Sequence, residues 1–104
     1  MSRIARTPEP PYYAVIAPSA LSEDTKGYPE LGLRLIELAR SVDGFLGIEL
    51  CLDRSFSLSV SYWRSLEAIE TWRRNAQHLV AKDLGKKRFF ASYLTRIARV
   101  EQVY

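Results

Sequence analysis

From Phe56 the chain alternates strictly. Phe56, Leu58, Val60 and Tyr62 fall on one side, and Ser57, Ser59, Ser61 and Trp63 on the other. A period of two marks a β-strand with one strongly apolar face. After Arg64 the period changes, and Leu66, Ile69 and Trp72 recur at helical spacing. A strand therefore turns directly into a helix. Ser65 is placed to cap it, and Glu67 to face the positive end of the helix dipole. The corner gathers Tyr62, Trp63 and Trp72.

The same reading extends along the chain. Residues 1–11 read as an extended arm, because Pro8, Pro10 and Pro11 forbid regular helix. The arm either hangs loose or lies across a partner subunit. Residues 12–104 form a single domain. Tyr12 to Ala17 is a strand, apolar on both faces, and Pro18 is expected to end it. Gly27 to Ser41 is the first helix, with Tyr28, Leu31, Leu35, Leu38 and Ala39 as its apolar stripe. Phe45 to Asp53 alternates as the second strand and joins the third through the polar turn Asp53–Arg54–Ser55. The second helix is expected to break near Arg73–Arg74–Asn75. Its stripe restarts at Ala76, Leu79, Val80 and Leu84, and Gly85 is a stop signal. A short helical turn is expected over Lys86 to Tyr93, and a fourth strand over Leu94 to Val103.

The order strand, helix, strand, strand, helix, strand gives an α+β fold, a split βαβ, ferredoxin-like βαββαβ sandwich with helices on one face. The other face is left bare. It cannot be wholly polar, since the first strand is apolar on both sides. A second copy of the sheet would cover it, so a homodimer is expected.

Composition narrows the classes. The chain has 104 residues, 47% hydrophobic and 26% charged, as an ordinary globular domain has. Its apolar runs fall far short of the ~20 residues of a membrane span, and no apolar run follows Met1. Neither a membrane nor a secretory route is expected, and a cytoplasmic location is. The lone Cys51 excludes an intramolecular disulfide and reads as a small buried apolar residue. Residues 1–63 carry 6 basic and 8 acidic side chains, residues 64–104 carry 9 and 4, so the net +3 is a C-terminal excess. Without a nucleic-acid motif beside it, that excess is a solvated face rather than a nucleic-acid surface. No glycine-flanked serine elbow and no phosphate-cradling glycine loop appears.

The segments GYPELGLRLIELA, DGFLGIE, SYWRSLEAIETWRRNAQHLVAKDLG and RFFASYLTRIARVEQVY, with Tyr12–Ala17 before them, resemble the antibiotic biosynthesis monooxygenase domain family. That resemblance implies a dimeric α+β barrel with a ligand cavity between sheet and helices. The family includes cofactor-free oxygenases of polycyclic aromatics, haem-degrading enzymes and proteins without a known reaction. Tyr62–Trp63, Trp72, His78, Phe89–Phe90, Tyr93 and Arg96 match its recurring pattern. Phe89–Phe90 stand where the family often has a tryptophan–tyrosine pair. The first strand lacks the asparagine of the haem-degrading branch, and Lys82 stands where that branch has a histidine ligand. A protonated lysine has no lone pair for iron, so haem degradation by that route is not expected.

Cofactor-free oxygenation needs an electron-rich substrate, a base to take its proton, a partner for the resulting anion, and a dry aromatic cavity. The resemblance and these needs together nominate His78, Trp72 and Arg96 as catalytic residues. Tyr62, Asn75, Phe89, Phe90 and Tyr93 are nominated to bind substrate. His78 is the sole imidazole, the side-chain base best matched to neutral pH, yet it shares a helical face with Arg74 and Lys82 that reads as solvated. Trp72 also reads as a core anchor, and Asn75 as a helix cap. Trp63 fits a core or a dimer interface. Arg96 points either inward, where it needs a partner, or outward as a surface charge. No second His or nearby Cys stands at ligand spacing, so no metal is expected, and the resemblance to cofactor-free oxygenases implies no other cofactor. The expected function is a cofactor-independent monooxygenase of an aromatic phenolic or quinone-like small molecule. The alternatives are a non-catalytic dimeric module binding a small apolar ligand or a protein, and haem binding.

Overall fold

The computed structural model describes residues 3–84 and 89–104, and over 81–84 the backbone alone. The elements are β1 (Tyr12–Leu21), α1 (Tyr28–Arg40), β2 (Phe45–Asp53), β3 (Phe56–Trp63), α2 (Leu66–Leu84), β4 (Phe90–Tyr93) and β5 (Arg96–Val100). Ser65 caps α2, its Oγ accepting the Ala68 N–H at 3.1 Å, and Glu67 sits in the first turn. α1 starts without a side-chain cap. Gly27 holds the cap position at φ 91°, and Pro29 occupies the first turn, where a missing N–H costs nothing. Arg54, at φ 47°, turns β2 into β3.

All pairings are antiparallel, in the order β2-β3-β1-β4, with β5 also on β1. β4 and β5 are two halves of one edge strand. Tyr93 pairs with Ser19 and Arg96 with Ile16, so a single register runs through both. The gap lies beside Pro18. Leu94 donates its N–H to the Pro18 carbonyl at 3.1 Å, but Pro18 has no N–H to return. With the halves counted as one strand, the topology is βαββαβ, a ferredoxin-like α+β fold.

Three expected boundaries change. β1 does not end at Pro18 but continues to Leu21, because the proline forfeits a bond only toward the edge strand and keeps its place against Leu58 of β3. α2 does not break near Arg73–Asn75. Ile69, Trp72, Ala76 and Leu79–Val80 form one continuous stripe at three- and four-residue spacing, and Arg73 is held on the surface by both Glu70 carboxylate oxygens at 3.0 Å. Residues 90–93 are strand, not a helical turn. The rest of that expected turn, 86–88, lies outside the described residues apart from the buried Phe89.

Trp63 centres the core at 0% exposure, with Val15, Ala39, Ala68 and Ile69 around it and Tyr13, Val42, Phe45 and Trp72 packed against them. Phe45 meets its ring edge-on at 5.2 Å and Trp72 lies 5.6 Å away. Phe45 reaches this face through a bulge at Leu46, which shifts the β2 register between Phe45 and Gly47. The bulge puts Phe45 on the same side as Ile48, Leu50 and Leu52.

Because Trp63 faces the helices, so do Ser57, Ser59 and Ser61. Phe56, Leu58, Val60 and Tyr62 face away, with Ile16, Pro18 and Ala20 of β1 beside them. The arm folds back over one end of this outer face. The Ala5 N–H donates to Glu49 Oε2 at 3.1 Å, Thr7 Oγ1 and Tyr12 Oη lie 2.7 Å apart, and Ala5 packs against Gly47. Cys51, also on the outer face, is exposed rather than buried as its strand setting suggests. Among the described residues, the outer face of β2 is covered only where the arm lies.

Gly44, at φ 106°, leaves no room for a side chain, since a Cβ there would sit 2.8 Å from the Ala68 Cβ. Gly44→Ala is expected to cost about 1–3 kcal/mol in urea unfolding. Gly32→Ala, in the middle of α1 with open space around it, is expected to gain roughly 0.5–1 kcal/mol. Equal effects at the two positions would contradict this account.

Candidate functional site

Among the described residues, the helices cover the Trp63 end of the sheet and leave the other end of the same face open. There Ser59 lies between Ala17 and Leu50, and Ser57 between Ser19 and Leu52, with Tyr93 beyond Ser19. Leu50, Leu52 and Tyr93 are 49%, 52% and 69% exposed. The result is a shelf of serine hydroxyls and a phenol, walled by leucines and closed at one end by the indole of Trp63. Ser61, nearest the core, is committed, its Oγ accepting the Trp63 Nε1–H at 2.9 Å. Ser57 and Ser59 are half-buried. Such hydroxyls can donate to or accept from a phenol, phenolate or carbonyl oxygen, and bring no charge of their own.

The structure scatters the nominated residues. Trp72 lies in the core stack, its Nε1–H directed at the Leu35 carbonyl at 3.5 Å, and so ties α2 to α1. His78 and Asn75 are exposed on α2. Asn75 is mid-helix, so it is not the expected cap. Arg96 is exposed and pairs with Ile16, on the sheet face turned away from the helices. His78 and Arg96 therefore stand on opposite sides of the sheet and do not converge within one chain. Phe89, Phe90 and Tyr93 do come together. Phe89 is buried, both phenylalanines pack edge-on against Tyr28 at 5.7 and 5.6 Å, and Tyr93 lies 5.6 Å from Phe90. Trp63, read as fitting either core or interface, is wholly core.

Tyr62 also points away from the helices. Its Oη donates to Glu49 Oε1 at 2.5 Å, and its ring meets Tyr12 edge-on at 5.9 Å. Burial first, then the bond to Glu49, pushes its pKa from 10.0 up to about 12. At neutral pH it is a hydrogen-bond donor and not a base, which removes it as a proton acceptor.

Two open pockets flank these elements. One, of about 290 Å³, lies between the arm and β2. The other, of about 210 Å³, lies between Pro18–Ala20, Phe56 and Ser92–Leu94. Neither includes His78, Trp72 or Arg96. Sequence reasoning missed Ser57 and Ser59 as site residues, although the alternation displayed them. It also missed the Glu49–Tyr62 pair, for which Glu49 among apolar neighbours was the signal.

An α+β sandwich with a hydroxyl-lined shelf on the helix side of its sheet, beyond the helices, is the architecture these observations define. The antibiotic biosynthesis monooxygenase family model matches residues 11–84, and the chain belongs to that family. It is 42% identical over 103 residues to the uncharacterized protein YqjZ of Bacillus subtilis, covering 98% of this chain and 90% of YqjZ. Among solved structures it is similar to SnoaB, a cofactor-independent oxygenase from Streptomyces nogalater, at a TM-score of 0.70 and 8% identity, covering 90% of this chain and 97% of SnoaB. It is also similar to SO0527 from Shewanella oneidensis, at a TM-score of 0.71 and 16% identity, covering 86% and 91%. At such identities the structural likeness speaks for the fold.

The Tyr62 geometry has a pH consequence. A folded pKa raised above the unfolded one contributes stability that is full below pH 10 and lost as pH rises through about 12. Ultraviolet titration is expected to show one tyrosine ionising last, near 12. Glu49→Gln should lower that value only in part, because burial remains. A late-ionising phenol that persists unchanged in Tyr62→Phe would refute the assignment.

Proposed function

We propose that the chain is a homodimeric, cofactor-independent monooxygenase of an electron-rich phenolic or quinone-like small molecule. The observation that carries this reading is the orientation of β3, which turns Ser57 and Ser59 to the same sheet face as the Trp63 indole. Family membership and the fold shared with SnoaB support it. The hydroxyls hold the substrate oxygen, while Leu50, Leu52 and Tyr93 flank the ring. His78, the sole imidazole of the chain, takes the substrate proton. A phenol whose tautomer presents a ring methylene supplies all the electrons needed. The methylene and O2 become a carbonyl and water, one oxygen atom entering each, and no outside reductant enters the balance.

The second copy belongs on the outer face. Phe56, Leu58 and Leu94 there are 48%, 37% and 54% exposed, beside Ile16, Pro18 and Val60. A stable dimer hides roughly 800 Å² per partner, and this strip is the apolar surface suited to do so. No helix among the described residues is long and apolar enough to cross a membrane. A cytoplasmic location fits the exposed free thiol of Cys51.

One observation favours a second reading, a non-catalytic dimer that binds a small ligand. His78 and Arg96, the nominated base and oxyanion partner, are both exposed and on opposite faces of the sheet.

Oxygen uptake with a panel of hydroquinones and ring-methylene phenols separates the two. The oxygenase reading expects uptake that His78→Ala lowers by about 10²–10⁴-fold. Ser59→Ala should lower it roughly tenfold, the loss of one hydrogen bond. Tryptophan quenching by these compounds with no uptake from any of them would leave the binding module. For the dimer, Leu58→Glu is expected to convert the sedimenting species from dimer to monomer. A wild-type chain that is already monomeric at micromolar concentration ends that part of the reading.

A further inference from the structure

Three arginines meet at the outer edge of β2. Arg3 and Arg6 come from the arm and Arg40 from the last turn of α1, and all three line the open pocket of about 290 Å³. Its floor is Phe45 to Ile48, the stretch of β2 that carries the bulge. Among the described residues no carboxylate lines the pocket, and none of these three guanidiniums has an ion-pair partner. The contrast within the chain is sharp, for Arg64, Arg73 and Arg99 each pair with an acidic residue, at 3.3, 3.0 and 3.5 Å. Three like charges lining one pocket repel one another. The C-terminus of α1 offers only about half a negative charge in return, so most of the positive potential stays unmet.

The arm is not free to relieve this by drifting away. Ala5, between Arg3 and Arg6, is tied by its N–H to Glu49 and packed on Gly47, and Thr7 is tied to Tyr12. These anchors hold the two arginines over the β2 edge. Glu49 does not line the pocket, and its two oxygens accept from Ala5 and Tyr62.

We propose that this pocket binds a small, multiply charged oxyanion of the phosphate class, held by Arg3, Arg6 and Arg40. Planar guanidinium forks match phosphate oxygens two at a time. The anchored backbone of the arm keeps Arg3 and Arg6 near the pocket, which lowers part of the entropy cost of binding. Phe45 and Ile48 give an apolar edge for whatever carries the phosphate. The pocket and the serine shelf lie at opposite ends of β2, so this site stands or falls independently of the oxygenase reading.

Calorimetry of the full chain with inorganic pyrophosphate as the probe, at low ionic strength, tests this. The expected result is saturable binding of one pyrophosphate per chain that weakens as salt is added. Arg40→Gln and Arg6→Gln should each weaken it roughly tenfold, the loss of one charge-assisted contact. Arg99→Gln, elsewhere on the surface, should leave it unchanged. Arg6→Gln, on the arm, carries the test should Arg40→Gln disturb α1. Citrate, a carboxylate probe of similar charge, should bind more weakly. An absence of saturable heat overturns the proposal. So does an equal loss in Arg99→Gln, which would mean diffuse charge, and so does tighter binding of citrate, which would reassign the anion class.

Discussion

The burial of Trp63 is the constraint on which the rest of the structure depends. A strand has only two faces, and a one-residue slip exchanges them entirely. Placing the largest side chain of β3 against α2 and the Phe45 ring therefore settles the direction of every other residue in that strand. The indole N–H must find an acceptor once buried, and Ser61, two residues back on the same face, supplies it. A serine face is thus compatible with an inward orientation. The tryptophan contributes the packing, and a serine satisfies its polar atom.

Two surfaces of opposite character follow. On the helix side, hydroxyls line the part of the sheet left uncovered among the described residues. On the outer side lies an apolar strip that the arm covers only at the Tyr12–Tyr62 end. Pro18 serves both arrangements. It stays in register against Leu58 while opening a gap in the edge strand at Leu94, which splits that strand into β4 and β5. The arm ties down the Glu49–Tyr62 pair, and in doing so presents its own arginines to the far edge of β2.

The chemistry within one chain is that of a receptive surface rather than a charged catalytic cluster. Ser57 and Ser59 bring neutral hydrogen bonds, Tyr62 is held protonated by burial and Glu49, and the ionisable residues His78 and Arg96 face solvent on separate sides. Such a surface suits a reaction in which the substrate provides the electrons. In the proposed reaction this surface orients the substrate and holds one oxygen atom.

Local pattern carried most of the elements. The alternation in β3, the Ser65 cap, the stripe of α1 and the polar turn at Arg54 are each written within a few neighbouring residues, and their order suffices for the ferredoxin-like topology. The features that eluded a linear reading depend on contacts between distant segments. Pro18 reads as a strand end until its neighbours are known, because only the edge-strand side loses a bond. Asn75 reads as a cap until Ile69, Trp72 and Ala76 are seen to face one core. The bulge at Leu46, the fold-back of Ala5 onto Gly47 and the meeting of Arg40 with Arg3 and Arg6 leave no periodic trace. By itself the sequence determined the order and most of the extent of the strands and helices, β4 and the far end of β1 excepted, because periodicity is a property of the chain. Only the tertiary structure decided which face of β3 turns inward, because both faces carry large side chains and the choice rests on what α2 and Phe45 offer in return.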